Sequence, residues 1–162
     1  MKYCSLMSGS WGNCHYIETA QTKIMVDVGQ SGRNILQNMQ MAGCGDGKDL
    51  DAILVTHAHR DHVIGVGILA RKLKVPVYAT EGTWHQMKGL VGDIPAAQTR
   101  VIGTESSLQI GDLQVESFPT SHDALESVGY VIRNGQTGLG IATDCGIFSS
   151  CMERCLKDLQ AL

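Results

Sequence analysis

Proline is scarce in this chain, with three in 162 residues against nineteen glycines. That balance predicts regular elements joined by tight turns, and no linker, repeat or low-complexity segment stands out. Long apolar runs are missing. Nothing approaches the ~20 residues needed to span a bilayer, so no membrane segment is expected. The opening stretch MKYCSLMSGSWGNC has no apolar core of the kind a secretory leader carries, so the expected location is the cytoplasm. An excess of positive charge is missing too. Thirteen Lys and Arg stand against sixteen Asp and Glu, for a net charge of -3. This excludes a uniformly basic nucleic-acid clamp, although a bound metal would create a local positive field that net charge does not show. Six cysteines are an even number, but without a leader they read as free thiols rather than a disulfide framework.

What is present fits one globular domain over residues 1–162: 43% hydrophobic and 18% charged residues, enough for a real core. Tyr3–Leu6, His15–Thr19 and Lys23–Val28 read as strands, with SGSWGN (Ser8–Asn13) as the turn between the first two. Ser31 is a candidate cap for a helix over Gly32–Met41, with Ile35, Leu36 and Met39 on one face. Ala52–Val55 is a buried strand, followed by a helix over Val63–Lys74, a strand over Pro76–Ala79 and a helix over Glu81–Leu90. This alternation marks an α/β layer. Then Ser107–Ile110, Leu113–Phe118, Val128–Arg133 and Gly138–Ala142 read as strands, with hairpin signals at Gly111–Asp112 and Asn134–Gly135. Ser149 or Ser150 would cap a last helix running to Leu162.

The densest chemistry is in ILVTHAHRDH (Ile53–His62). His57 and His59, two apart on an extended segment, point the same way. Asp61 and His62 follow as the chain turns into the next helix and would face a second position. Imidazoles with a carboxylate suit zinc, manganese or iron. Without a metal the cluster would be a solvated polar loop, because its groups are costly to bury together. Downstream, His122 in PTSHD and Asp144 in ATDCG lie at the ends of expected strands, where ligand-binding side chains gather in α/β folds. Alone, each would be a turn cap. With the loop, each is a metal-ligand candidate, and the two oxygens of Asp144 would let it bridge two ions.

Taken in order, Asp27 in DVG, THAHRDH (Thr56–His62), His122 and Asp144 resemble the metallo-β-lactamase superfamily. SGSWGNC, ATEGTW and SHDALESVGY narrow the resemblance to its YycJ/WalJ-like exonuclease branch, over essentially the whole chain. The resemblance implies an αβ/βα four-layer sandwich with two divalent metal ions at the edge between its sheets. His57, His59 and His122 would hold the first ion, Asp61 and His62 the second, and Asp144 would bridge them. Asp27 would support the site from behind, with Thr56 beside it. The chain departs from the family in having no histidine after Asp144 to serve as the family's last ligand. It reads as C-terminally truncated, its second half missing strands and helices. Cys145, Cys151 and Cys155 are the only soft ligands left there, and Cys151 and Cys155, at i and i+4, read as helix packing.

Two ions ~3.5–4 Å apart would share a water, lower its pKa toward neutrality and supply a hydroxide for hydrolysis, with Asp61 as ligand and orienting group. The metals alone do not name the substrate. The resemblance favours phosphodiester cleavage of nucleic acid. Arg60 and Ser121 are weaker substrate-binding candidates. Arg71, Lys72 and Lys74 are phosphate contacts or a solvated helix face. Trp84 is a stacking platform or a core residue, His85 a surface residue, and His15 structural. SGSWGN is an anion nest or a plain turn, and Asp123 a partner for the His122 ring or a loop cap. The competing readings are a metal-binding chain with weak or no turnover, and a glyoxalase-type thiolesterase.

A chain ending soon after its last strand would leave a sheet edge and apolar surface open to a second copy. Light scattering should therefore show self-association. A sharp monomer peak with a cooperative melt would contradict it.

Overall fold

The computed structural model describes residues 1–161. Ten strands form two sheets. The first has six strands in sequence order: β1 (Lys2–Met7), β2 (Cys14–Glu18), β3 (Lys23–Val26), β4 (Ala52–Leu54), β5 (Val77–Thr80) and β6 (Thr99–Ile102). β1 to β3 are antiparallel and β3 to β6 parallel. The parallel strands are joined through α1 (Gly32–Met41), α2 (Arg60–Val63), α3 (Val66–Leu73) and α4 (Glu81–Val91). The second sheet is an antiparallel meander of β7 (Ser106–Ile110), β8 (Leu113–Pro119), β9 (Val128–Asn134) and β10 (Thr137–Ile141). A last helix, α5, covers Ser150–Leu156.

Alternation along the strands sorts the side chains into layers. On β3 and β4, Met25 and Ile53 face the helices, where they meet Ile35, Met39, Leu69 and Met87. Their neighbours Ile24, Val26, Ala52 and Leu54 face the other way and pack on Val115, Tyr130, Ile132 and Leu139 of the second sheet. A third cluster, Phe118, Val131 and Met152, joins the outer face of the second sheet to α5. The order helix, sheet, sheet, helix is the αβ/βα sandwich. Each fully buried aliphatic or aromatic side chain contributes about 1.5–3 kcal/mol to holding the layers together.

Several expectations match closely. Helix α1 spans Gly32–Met41, and the Ser31 hydroxyl accepts from the Asn34 N–H. Ser149 caps α5 in the same way, accepting from the Met152 N–H. Others need correction. The helix expected over Val63–Lys74 is two helices, α2 and α3. At the break the Gly65 N–H leaves the helical ladder to donate to Val28 O, and a Cβ there would lie 2.1 Å from Gln30 O. β6 was not anticipated. Its two central residues, Arg100 and Val101, are exposed, so it lacks a buried strand's apolar run. The last helix stops at Leu156. The following residues run back along β10, with Gly140 N–H donating to Ala161 O and Gln160 N–H to Gly138 O. That part of the sheet edge is therefore paired. Leu162, the expected end of the helix, lies outside the described residues. No described helix is long and apolar enough to cross a membrane.

The six cysteines are free thiols. Cys145, Cys151 and Cys155 pack against the cluster under α5, and burial pushes the Cys145 and Cys151 thiols up.

Candidate metal centre

Strand ends from both sheets meet at one point. Asp27 follows β3, Thr56 and His57 follow β4, His122 follows β8 and Asp144 follows β10. The seam is stitched by the Tyr130 hydroxyl donating to Val55 O at 2.7 Å and by Val128 N–H donating to Thr56 O at 3.0 Å. One end of the sandwich thus places residues distant in sequence around a common centre.

Asp27 anchors that centre. It is completely buried, with a left-handed φ of 61°. Its Oδ1 accepts from Thr56 N–H at 2.8 Å. Its Oδ2 accepts from the Thr56 hydroxyl and from His62 Nδ1, both at 2.7 Å. These contacts fix the tautomers. A carboxylate only accepts, so His62 Nδ1 carries the proton and Nε2 faces the cluster. The Thr56 hydroxyl uses its one hydrogen on Asp27, so its oxygen accepts from His57 Nδ1 at 3.0 Å. His57 Nε2 is then left with a free lone pair.

His57 Nε2 is buried and has no hydrogen-bond partner. An orphaned buried nitrogen is costly, unless something outside the protein coordinates it. Around it, His57, His59 and His122 bring ligand atoms within 4.8 Å of one another, and so do His57, His62 and Asp144. His57 belongs to both groups. His59 Nδ1 and His122 Nε2 approach to 3.0 Å. Their outward nitrogens face Asp123, which lies 3.2 Å from His122 Nδ1 and 3.6 Å from His59 Nε2. An outer carboxylate on ligand imidazoles is the arrangement that orients metal-binding histidines. Asp144, also at positive φ (51°), lies 2.9 Å from His62 Nε2 and 3.7 Å from His57 Nε2. The donor set fits divalent cations.

Asp61 stands at the rim, 3.6 Å from His62 Nε2 and outside both groups of three. Arg60 is exposed at the start of α2. Ser121 is exposed, and its carbonyl accepts from Gly146 N–H, tying the His122 loop to the Asp144 loop. Arg71 is committed elsewhere, donating to Val91 O and Asp93 O. The Trp84 indole N–H donates to Arg100 O, and its ring packs on the helix-side core. It is half-buried, closer to its reading as a core residue than to a free platform. His85 is exposed, as expected of a surface residue, and lines a shallow cavity of about 520 Å³ that also reaches His59.

Asn13 was missed. Its Oδ1 accepts from Gly9 N–H, which fixes the amide orientation. Its Nδ2 lies 3.0 Å from His62 Nε2 and 3.3 Å from Asp61 Oδ2. It sits in SGSWGN, and the turn signal of the glycines hid it. Only the long-range link of Asn13 N–H to Asp61 O exposes its role.

The profile of the Beta-lactamase superfamily domain matches residues 22–162, and the chain belongs to that family. It is 40% identical over 161 residues to the exodeoxyribonuclease YycJ of Bacillus anthracis, covering 99% of this chain and 61% of that protein. It is 39% identical over 153 residues to the exodeoxyribonuclease WalJ of Streptococcus pneumoniae, covering 93% and 56%. The chain thus spans about three-fifths of the length of these relatives. Among solved structures, the Rm3 metallo-beta-lactamase superposes with a TM-score of 0.67 at 19% identity, covering 93% of this chain and 66% of that one. BJP-1, a subclass B3 metallo-beta-lactamase of Bradyrhizobium japonicum, gives 0.63 at 21%, covering 79% and 54%. At these identities the likeness establishes the fold, one whose family implies divalent metal.

Burial and the neighbouring His62 lower His57 to about 4. Burial lowers His15 as well. For His62 burial also acts downward, but the Asp27 hydrogen bond and charge, with Asp61 and Asp144, outweigh it and raise the group. The signs follow by linkage. Below the ordinary histidine value of 6.5 the unfolded chain takes up protons that buried His57 refuses, so stability falls as pH drops from 6.5 toward about 4. The His62 contribution is complete below 6.5 and fades as pH rises through its raised value. Metal-free protein should therefore melt highest near pH 6.5. His57→Gln should flatten the acid limb. A wild-type melting temperature constant from pH 4 to 6.5 would contradict this.

Proposed function

We propose that this chain is a dinuclear metal-dependent hydrolase of phosphodiester bonds, acting on nucleic acid as an exonuclease. The observation that carries the reading is the buried, unpartnered Nε2 of His57, a residue that stands where two clusters of potential ligand side chains meet. His57, His59 and His122 would hold one cation. His62 and Asp61 would hold the other, with Asp144 between them. Zinc and manganese suit this donor set, and iron is an option. Cations there would lower the pKa of a shared water and offset charge on a phosphoryl oxygen.

The chain's own residues do the remaining work. Asp27 keeps the His62 ring in one tautomer and orientation. His62 Nε2, 2.9 Å from Asp144 Oδ2 and 3.0 Å from Asn13 Nδ2, is the ring nitrogen turned to the cluster, where a cation would take it as a ligand. Asp61 at the rim would orient the attacking water and receive its proton. Arg60, exposed beside it and without an ion-pair partner among the described residues, would meet a phosphate. The nucleic-acid substrate is supported by the exodeoxyribonuclease names of the two relatives.

A second reading, metal binding without turnover, is favoured by one observation. With His57 assigned to the first cation, the second position keeps His62 and Asp144 as close protein donors among the described residues, and Asp61 stands at the rim outside the group. End-labelled single- and double-stranded oligonucleotides separate the readings. The expected result is mononucleotide release that requires manganese or zinc and stops on chelation. Asp61→Asn should slow it at least about a hundredfold, as loss of a general base does. Bound metal without phosphodiester cleavage would support the second reading, and turnover of a thioester alone would overturn both.

A further inference from the structure

We propose that the loop Ser8–Asn13 and Arg60 form a subsite for a single-stranded nucleic-acid end, with the Trp11 indole as the stacking surface for one base. The proposal deepens the phosphodiesterase reading and rests on it for the class of substrate.

Trp11 is the most exposed large hydrophobic residue among those described, at 85%. Tryptophan usually buries most of its large apolar surface, so such exposure needs a reason. The loop is not a loose one. Gly9 N–H donates to Asn13 Oδ1, Asn13 Nδ2 donates back to Gly9 O, and Gly12 N–H donates to Gly9 O. From outside the loop, Gln30 Nε2 donates to Trp11 O at 2.6 Å. Gly12 has φ 151°, and a Cβ there would lie 2.7 Å from Gln30 Cγ and 2.8 Å from Gly29 O. The backbone is clamped and the indole is held out in water.

Its position is tied to the metal centre. Asn13, two residues on, touches both His62 and Asp61. Trp11 lines an open groove of about 720 Å³ together with Ser10, Gln30, Arg60, Asp61 and Arg71. One aromatic face, an uncommitted guanidinium and a candidate catalytic carboxylate therefore share one channel. Base stacking on an aromatic beside a cation that meets the backbone is how single strands are held without sequence preference. The other tryptophan, Trp84, is half-buried against the helix-side core and lines a different cavity, one without Arg60 or Asp61.

The occupant is an unpaired strand end rather than intact duplex. In a duplex the bases are stacked on one another, and an exposed indole reaches a base face only where stacking ends. Ser10 adds a hydroxyl for sugar or phosphate oxygens while the Gln30 amide is spent on the loop, and no set of base-edge readers lines the groove, so weak sequence preference is expected.

The test uses a phosphorothioate oligothymidylate, which resists cleavage, and an abasic strand of equal length. In a Trp84→Phe chain the remaining indole is Trp11. Its fluorescence should be quenched by the oligothymidylate and hardly by the abasic strand. Independently, in the otherwise unaltered chain, Trp11→Ala should weaken binding of labelled oligothymidylate roughly 5- to 150-fold, the range one stacked base commands. Trp11→Phe should retain most of it, and an unchanged melting temperature for both would show that the fold is intact. Equal affinity for wild type and Trp11→Ala would overturn the subsite, even if oligonucleotides are hydrolysed. Quenching and the Trp11→Ala loss without any hydrolysis would uphold the subsite and overturn the phosphodiesterase reading. No binding of either strand would overturn both.

Discussion

The candidate site depends on one buried carboxylate. Asp27 lies at the end of β3 with no solvent contact and receives three hydrogen bonds, two from Thr56 and one from His62. Burying a charge unpaired would cost several kcal/mol. Three donors, one on a histidine whose proton the carboxylate favours, offset that cost. The residue also holds a left-handed backbone, of the order of 1 kcal/mol or more for a side chain with a Cβ. Both costs fall on the same residue, and both set the same outcome. The His62 ring turns its Nε2 inward, Thr56 is spent as a donor, and His57 is left with a lone pair directed into the cluster. Asp144, on the opposite sheet, adopts a similar left-handed conformation and closes the cluster from the other side.

The fold explains why such a centre forms here. Parallel strands β3 and β4 end side by side, so Asp27 and Thr56 are neighbours although 29 residues apart. The second sheet packs across them, and Tyr130 pins its β9 to the end of β4. The ends of β8 and β10 then carry His122 and Asp144 over the same spot. Close backbone approach completes it. A Cβ on Gly29 would fall 1.7 Å from Asp61 O, so the β3–α1 connection passes against the histidine loop only because that position has no side chain.

Much of this is legible in the residues themselves. The chemistry of ILVTHAHRDH is unusual enough to announce a metal site, and Ser31 marks the start of α1 by its capping chemistry alone. His122 and Asp144 needed more: the family pattern, or the inference that strand ends gather ligands. What stayed hidden depends on contacts between distant segments. Asn13 reads as one more polar residue in a glycine turn until its 48-residue reach to Asp61 is seen. The break at Gly65 goes with its N–H donating to Val28 O, 37 residues earlier, and the early end of α5 with pairing along β10. β6 has too little buried apolar surface to stand out from its sequence.

The central claim is that one buried carboxylate, Asp27, organises a cluster that would hold two cations, with His57 on one and His62 on the other. Metal stoichiometry tests it most directly. The chain as it stands would be dialysed against trace zinc or manganese, freed of loose ion and measured by elemental analysis. About two ions per folded chain, falling in the Asp27→Asn protein, is the predicted result. One ion or none bound to a folded wild-type chain would contradict the account.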